Sequence, residues 1–169
     1  MSATTTFEAP WGTSLKLMTA VSVSILGGVA LIGLFSGPRD SWLWWLGMVA
    51  MPLLVLLGGA CFAIRGYAID NRTLLIRRPG WQVPIDLREL RSVEANPAAM
   101  RGSVRVFGNG GLFCFAGRFR NRPLGAYRAF ATDPKLAVVL RFPDRTVVVT
   151  PGDPGRFVDE IRQRSSTPD

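Results

Sequence analysis

Histidine is absent from this chain of 169 residues, and cysteine occurs only as Cys61 and Cys114. Without histidine there is no His-based catalytic triad, no side chain whose ordinary pKa lies near neutrality, and few ways to hold zinc. Two cysteines are too few for a disulfide framework. Cys61 falls in an apolar run and Cys114 in a predicted strand, which argues against a bond between them. Acidic residues are scarce as well, 12 against 20 Lys and Arg. Their nearest cluster, Asp86, Glu89 and Glu94, reads as a solvated face and not as paired catalytic carboxylates. The composition points away from an enzyme and implies no metal and no cofactor.

Charge is missing altogether from two stretches, residues 17–35 and 42–64. As helices, each would cross a hydrocarbon core of roughly 30 Å. A cleaved leader fits the first run poorly: Lys16 is the only basic residue ahead of it, and no small-residue cleavage pattern follows. Two spans are therefore expected, and no ionisable group inside them suggests a channel or transporter. Arg65, Arg72, Arg77 and Arg78 crowd the exit of the second run, whereas the connecting loop holds only Arg39. That asymmetry predicts an outer loop with both termini in the cytoplasm. Trp42, Trp44 and Trp45 would lie in the outer interfacial belt and Tyr67 near the inner one. Pro52 deprives the Met48 carbonyl of its helical donor and predicts a kink. Ala20, Ser24 and Gly28 make a small-residue stripe on the first helix, with Gly59 and Ala63 a shorter one on the second. Such spacing suits close helix packing, either between the two spans or in a homodimer.

The positive excess lies after the second run, because Lys16, Arg39, Glu8 and Asp40 are the only charged side chains before Arg65. Only Arg65 and Gly66 separate that run from the first predicted strand, which holds the following part against the bilayer. The remaining pattern is one of short strands. Residues 67–70 and 73–78 flank a turn at Asp70, Asn71 and Arg72; Pro79 and Gly80 turn the chain into a strand at 81–85. Residues 86–94 fit a helical turn or an extended segment. A strand at 103–107 leads to Gly108, Asn109, Gly110 and Gly111, which lack nucleotide-loop spacing and read as a turn or bulge needing positive φ.

Residues 111–121 form the most distinctive predicted strand. Phe113, Phe115 and Phe119 share one parity and Arg118, Arg120 and Arg122 the other, so the Phe set should point inward and the Arg set outward. With Arg128 these arginines are the candidate binding face, the alternative being a sheet face solvated by water. Buried aromatics do not suit an RNA-stacking surface, and nucleic acid is not expected as a partner. Alternating Leu136, Val138, Leu140 and Phe142 precede a turn and a strand at 146–150. Asp153 then caps a helix starting at Pro154, with Phe157, Val158 and Ile161 as its apolar stripe, fraying from Ser165.

The series Gly108 to Phe113, Gly117 to Asn121, Leu124 to Tyr127, Ala131 to Asp133, and Pro151 to Pro154 before Phe157 resembles bacterial membrane proteins with a pleckstrin-homology-like (PH-like) domain. The resemblance implies a two-helix transmembrane hairpin followed by a mostly antiparallel β-barrel of about seven strands with a C-terminal capping helix, a membrane-anchored α+β fold. The expected divisions are a cytoplasmic segment (1–16), the hairpin (17–64), the PH-like domain (65–164) and a disordered tail (165–169). Such domains bind lipids, peptides or proteins and are not enzymes. The resemblance therefore implies a non-catalytic interaction module on the cytoplasmic face of the inner membrane, with anionic lipid or a protein partner at the basic face. An accessory subunit of a membrane complex is the alternative. In eukaryotic PH domains that hold phosphoinositides the first hairpin turn is basic; here it carries Asp70 beside Arg72.

Overall fold

The computed structural model describes residues 4–38 and 40–166, so Arg39 and residues 167–169 of the expected tail lie outside the described residues. Strand β1 (Thr5–Glu8) precedes helix α1 (Thr13–Ser36). A second helical stretch runs through α2 (Trp42–Trp45), a π turn (Leu46–Ala50) and α3 (Met51–Cys61). Both stretches, Thr13–Ser36 and Trp42–Cys61, are long and apolar enough to span a membrane, and the rest of the chain covers little of either. The second ends earlier than the apolar run. Ile64 leaves the helix to enter the domain core, where it is 2% exposed, and the Arg65 N–H bonds the Arg77 carbonyl at 2.9 Å.

Pro52 disturbs the second helix as expected, but through a π turn: the Met51 N–H reaches the Leu46 carbonyl, an i to i+5 bond in the turn preceding the proline. The helices meet at Gly33, where an added Cβ would lie 2.7 Å from Met48 Cβ, and the Trp44 Nε1–H donates to the Gly33 carbonyl at 3.0 Å. Trp44 is thus an interhelical contact, while Trp42 is exposed. The Ala20–Ser24–Gly28 stripe does not pack the two helices. Ala20 and Ser24 are exposed, and a Cβ on Gly28 would meet nothing within 4 Å. Gly59 packs against Leu112 and Phe113 of the domain instead.

The described residues hold ten strands where about seven were expected, and these form two sheets that do not close into the expected barrel. The first has the order β1-β2-β3-β4, with β2 at Gly66–Asp70, β3 at Thr73–Arg78 and β4 at Trp81–Asp86. The second has the order β5-β9-β10-β8-β7-β6: β5 Ser92–Ala95, β6 Val104–Gly110, β7 Phe115–Asn121, β8 Gly125–Ala131, β9 Val138–Arg141 and β10 Thr146–Val149. All pairings are antiparallel except β8 with β10. The first hairpin turns at Asn71 (φ +50°), and residues 86–94 resolve into a turn followed by β5. Gly108 and Gly110 lie within β6, beside a register shift between Arg105 and Phe107. Gly108 (φ +111°) pairs with Gly117 (φ +147°), and a Cβ on Gly117 would come within 2.1 Å of the Phe107 carbonyl oxygen. Positive φ at both glycines lets the two strands approach.

Part of the expected N-terminal segment (1–16) joins the domain. Thr5 to Glu8 pair with Ile69 to Gly66 and complete the four-stranded sheet. Helix α4 (Pro154–Ser166) runs past the expected fraying point, and the Asp153 carboxylate caps it by accepting from the Arg156 N–H at 3.0 Å. Its Phe157, Val158 and Ile161 join Phe7, Tyr67, Leu74, Ile76, Phe130, Leu140 and Val149 in the main core. Phe7 meets Phe157 edge-on at 5.0 Å. A second, smaller core lies on the other face of the six-stranded sheet, where Ala99 covers Phe119, Tyr127, Ala129 and Val148.

Tyr67 is not interfacial. It is fully buried, its hydroxyl donating to the Phe130 carbonyl at 2.7 Å and accepting from the Thr150 N–H at 3.2 Å. Burial pushes its pKa up to about 12, so the phenol stays neutral.

Candidate functional site

Strands β7 and β8 carry the candidate arginines. Arg118 and Arg120 lie on β7, Arg122 in the turn that follows and Arg128 on β8, and all four are exposed. The register sets Arg118 directly opposite Arg128, while Arg120 faces Ala126. Partners across a ladder share a face. Arg118, Arg120 and Arg128 therefore stand on the face that, one pair along at Ala116 and Phe130, enters the main core. Their alternation with Phe119 is as expected, but Phe119 points into the second core. Phe113 is not in the strand. It occupies a tight turn (φ +65°), its ring 6.1 Å from Trp11. The structure thus brings Arg118 and Arg128 together and sets Arg120 and Arg122 progressively farther along the strand. No ion pair among the described residues engages any of the four. Phe107, 77% exposed on the edge strand, is registered with Arg118 and adds an apolar ring to this face.

A further arginine belongs to this corner. In β3 the buried positions are Leu74, Ile76 and Arg78, so strand alternation carries a guanidinium inward. Arg78 is 7% exposed, and its Nε and Nη1 are shielded without a hydrogen-bond partner. Its Cζ lies 4.7 Å from the Trp81 ring centroid, 5.3 Å from Phe62 and 5.6 Å from Phe130. Arg128 shares the last ring, its Cζ 4.8 Å from the Phe130 centroid. Burial, and Arg128 after it, lower the Arg78 pKa, but a guanidinium remains charged in proteins. Cys114, beside it, is pushed up to about 11 by burial and stays a neutral thiol. Sequence reasoning counted Arg78 only among the charges at the helix exit. The Leu74–Ile76–Arg78 alternation was the signal that marks it.

The corner sits where the domain meets the ends of the two apolar helices. The Trp81 Nε1–H donates to the Cys61 carbonyl at 3.2 Å, and Trp81 meets Phe62 edge-on at 5.6 Å. The Cys114 Sγ–H donates to the Phe62 carbonyl at 3.2 Å. From the first helix, the buried Thr19 hydroxyl donates to the Gly111 carbonyl (3.0 Å) and accepts from the Phe113 N–H (3.1 Å). Leu112 and Phe113 press on Gly59. The β6–β7 turn and the β3–β4 turn are therefore both seated on the helices, beside the arginines.

The acidic residues are placed elsewhere. Asp86 meets Arg88 at 3.8 Å and Glu94 meets Arg141 at 3.3 Å, all exposed, in the manner of solvated surface pairs. Among the described residues no group of three His, Cys, Asp or Glu side chains is arranged to hold a metal ion. Neither curated proteins nor solved structures give a match to the chain. A family model, described as bacterial PH domain, matches residues 65–165, which is most of the chain and takes in β3, β7, β8 and the capping helix. With two apolar helices ahead of that match and the basic corner inside it, the chain belongs to the bacterial PH domain family.

Proposed function

We propose that this protein is a non-catalytic interaction module anchored in a bacterial cytoplasmic membrane. Its two apolar helices cross the bilayer, and its PH-like domain and both termini lie in the cytoplasm. The observation that carries the reading is the double seating of the domain on the helix ends, through Thr19 and Gly111 on one side and Trp81 and Cys61 on the other. A domain so fastened keeps one face toward the lipid surface. Arg118 and Arg128 are exposed cations registered opposite each other on the face that carries Phe130, whose ring Arg78 and Arg128 share, with Arg120 and Arg122 beyond them. Each arginine near an anionic leaflet adds about 1 kcal/mol of attraction. The basic face therefore suits acidic lipid head groups, or a partner protein recruited beside them.

The test uses the full chain in nanodiscs containing a nickel-chelating lipid, on a Cys61→Ser, Cys114→Ser background. A nitroxide at Arg118→Cys should be relaxed strongly by the lipid-bound nickel, and one at Glu89→Cys, beyond the far end of β4, weakly. Equal relaxation at the two positions refutes the lipid-facing orientation and leaves a protein or peptide as the ligand of the basic face. For topology, a thiol at Asp40→Cys should react from outside intact cells and one at Glu89→Cys should not.

The outward stripe of Ala20, Ser24 and Gly28 favours a second reading, an accessory subunit or homodimer assembled through α1. Ser24→Phe with Gly28→Ile should then dissociate the assembly in membranes. An unchanged crosslinked species rejects this reading.

A further inference from the structure

Arg78 is a cation in the interior that no anion among the described residues balances. None of the titratable groups that act on it carries a negative charge. Tyr67 on β2 is a neutral phenol and Cys114, in the turn before β7, a neutral thiol, while Arg128 on β8 is a second cation. The rings of Phe62, Trp81 and Phe130 present their electron-rich faces to the charge, but they do not accept the hydrogen bonds that Nε and Nη1 leave unmade. Buried charges in proteins are ordinarily paired. Here no group among the described residues pairs with it.

We propose that Arg78 and Arg128 form a site for one phosphate oxyanion, and that the group filling it is the head-group phosphate of an acidic phospholipid. The two guanidinium carbons lie 5.6 and 4.8 Å from the same Phe130 centroid, so they are at most about 10 Å apart, and Arg128 is on the exposed side. A guanidinium offers a planar fork of N–H donors that matches phosphate oxygens, which is what the unmade bonds of Arg78 call for. Depth selects the source. The helix Trp42–Cys61 has 20 residues, which at about 1.5 Å per residue covers the hydrocarbon core of roughly 30 Å. Phe62 follows directly, at the level where head-group phosphates lie, and Arg78 is 5.3 Å from its ring. The lipid as source rests on the membrane reading above; the oxyanion site does not.

The experiment uses the full chain in neutral maltoside micelles. It is titrated by calorimetry with dihexanoyl phosphatidylglycerol, dihexanoyl phosphatidylcholine and glycerol phosphate. Phosphatidylglycerol should bind once per chain and at least tenfold more tightly than phosphatidylcholine. Arg78→Met should weaken it at least tenfold, yet melt no lower than the parent without lipid, because the substitution removes an unpaired cation. If Arg78→Met does not fold, Arg128→Gln carries the comparison, with a loss of severalfold expected. Equal affinity for the two lipids overturns the proposal, as does an Arg78→Met protein that binds phosphatidylglycerol like the parent but melts lower, the signature of a purely packing role. Glycerol phosphate binding as tightly as phosphatidylglycerol, and lost in Arg78→Met, supports the oxyanion site and overturns the lipid as its source.

Discussion

Replacing Thr19 by valine keeps the shape of the side chain and deletes its hydroxyl. That hydroxyl is 3.0 Å from the Gly111 carbonyl, to which it donates, and 3.1 Å from the Phe113 nitrogen, from which it accepts. The residue is 6% exposed, and the turn it holds is closed off by Gly59 beneath Leu112 and Phe113. Valine therefore strands an acceptor and a donor together. An unsatisfied buried group costs about 1–3 kcal/mol, so the pair should loosen the turn by roughly 2–4 kcal/mol after partial relaxation. At about 1.4 kcal/mol per factor of ten, the Phe113 amide should exchange with deuterated solvent roughly thirtyfold faster or more. The assay is hydrogen exchange on the full chain in micelles, with the β10 amides of Val147, Val148 and Val149 as an internal reference. Their core lies apart from Thr19, so they should not change. An acceleration at Phe113 of less than threefold, or an equal acceleration in β10, would refute the claim that this hydroxyl fastens the domain to the first helix.

Gly117→Ala places a methyl within 2.1 Å of the Phe107 carbonyl at a φ of +147°, so urea unfolding should register a loss of about 2–4 kcal/mol. Gly125→Ala, with φ +67° but open space around it, should cost only about 1–2 kcal/mol; the reverse order would contradict the strand contact. Glu160 accepts from Arg164 Nε at 2.7 Å and from the Thr5 hydroxyl at 3.0 Å, and the bond from Arg164 holds its carboxyl below the usual range. A depressed carboxylate pKa stabilises the fold above the unfolded pKa, and that stabilisation disappears as pH falls through the folded value. The stability difference between the parent and Glu160→Gln should accordingly be largest near neutrality and vanish in strong acid. A difference independent of pH would show that the charge plays no part.

The helices, the first hairpin, the β9–β10 pair and the capped C-terminal helix were legible because each depends on local signals: uncharged runs, turn residues, alternation, and an Asp before a Pro. The missed elements depend on distant ones. Strand β1 is four residues whose partner lies some sixty positions away, so nothing nearby marks Thr5–Glu8 as a strand. Strand β8 is buried on both faces toward its end, at Ala129, Phe130 and Ala131, which erases the alternation that would have revealed it. The arginine row was readable as a pattern. That Arg118 and Arg128 register across β7 and β8, and that Arg78 shares the Phe130 ring with Arg128, follows only from the pairing of strands. The small-residue stripe left two partners open because spacing identifies a face of a helix without saying what that face meets; in the fold it does not meet the second helix.

The pairing of β1 with β2 constrains how the chain can thread a bilayer. Thr5 lies opposite Ile69 and Glu8 opposite Gly66, with both apolar helices in the interval between them. Two strands of one sheet must share a compartment, so the intervening helices cross an even number of times, whatever the balance of arginines at their ends. Synthesis inherits an order from this pairing: the first strand leaves the ribosome long before its partner and must wait, unpaired, until both helices and β2 have followed. Proteolytic removal of the leading residues would then subtract a strand from the folded domain, and an N-terminal fusion would be carried on the domain's own side.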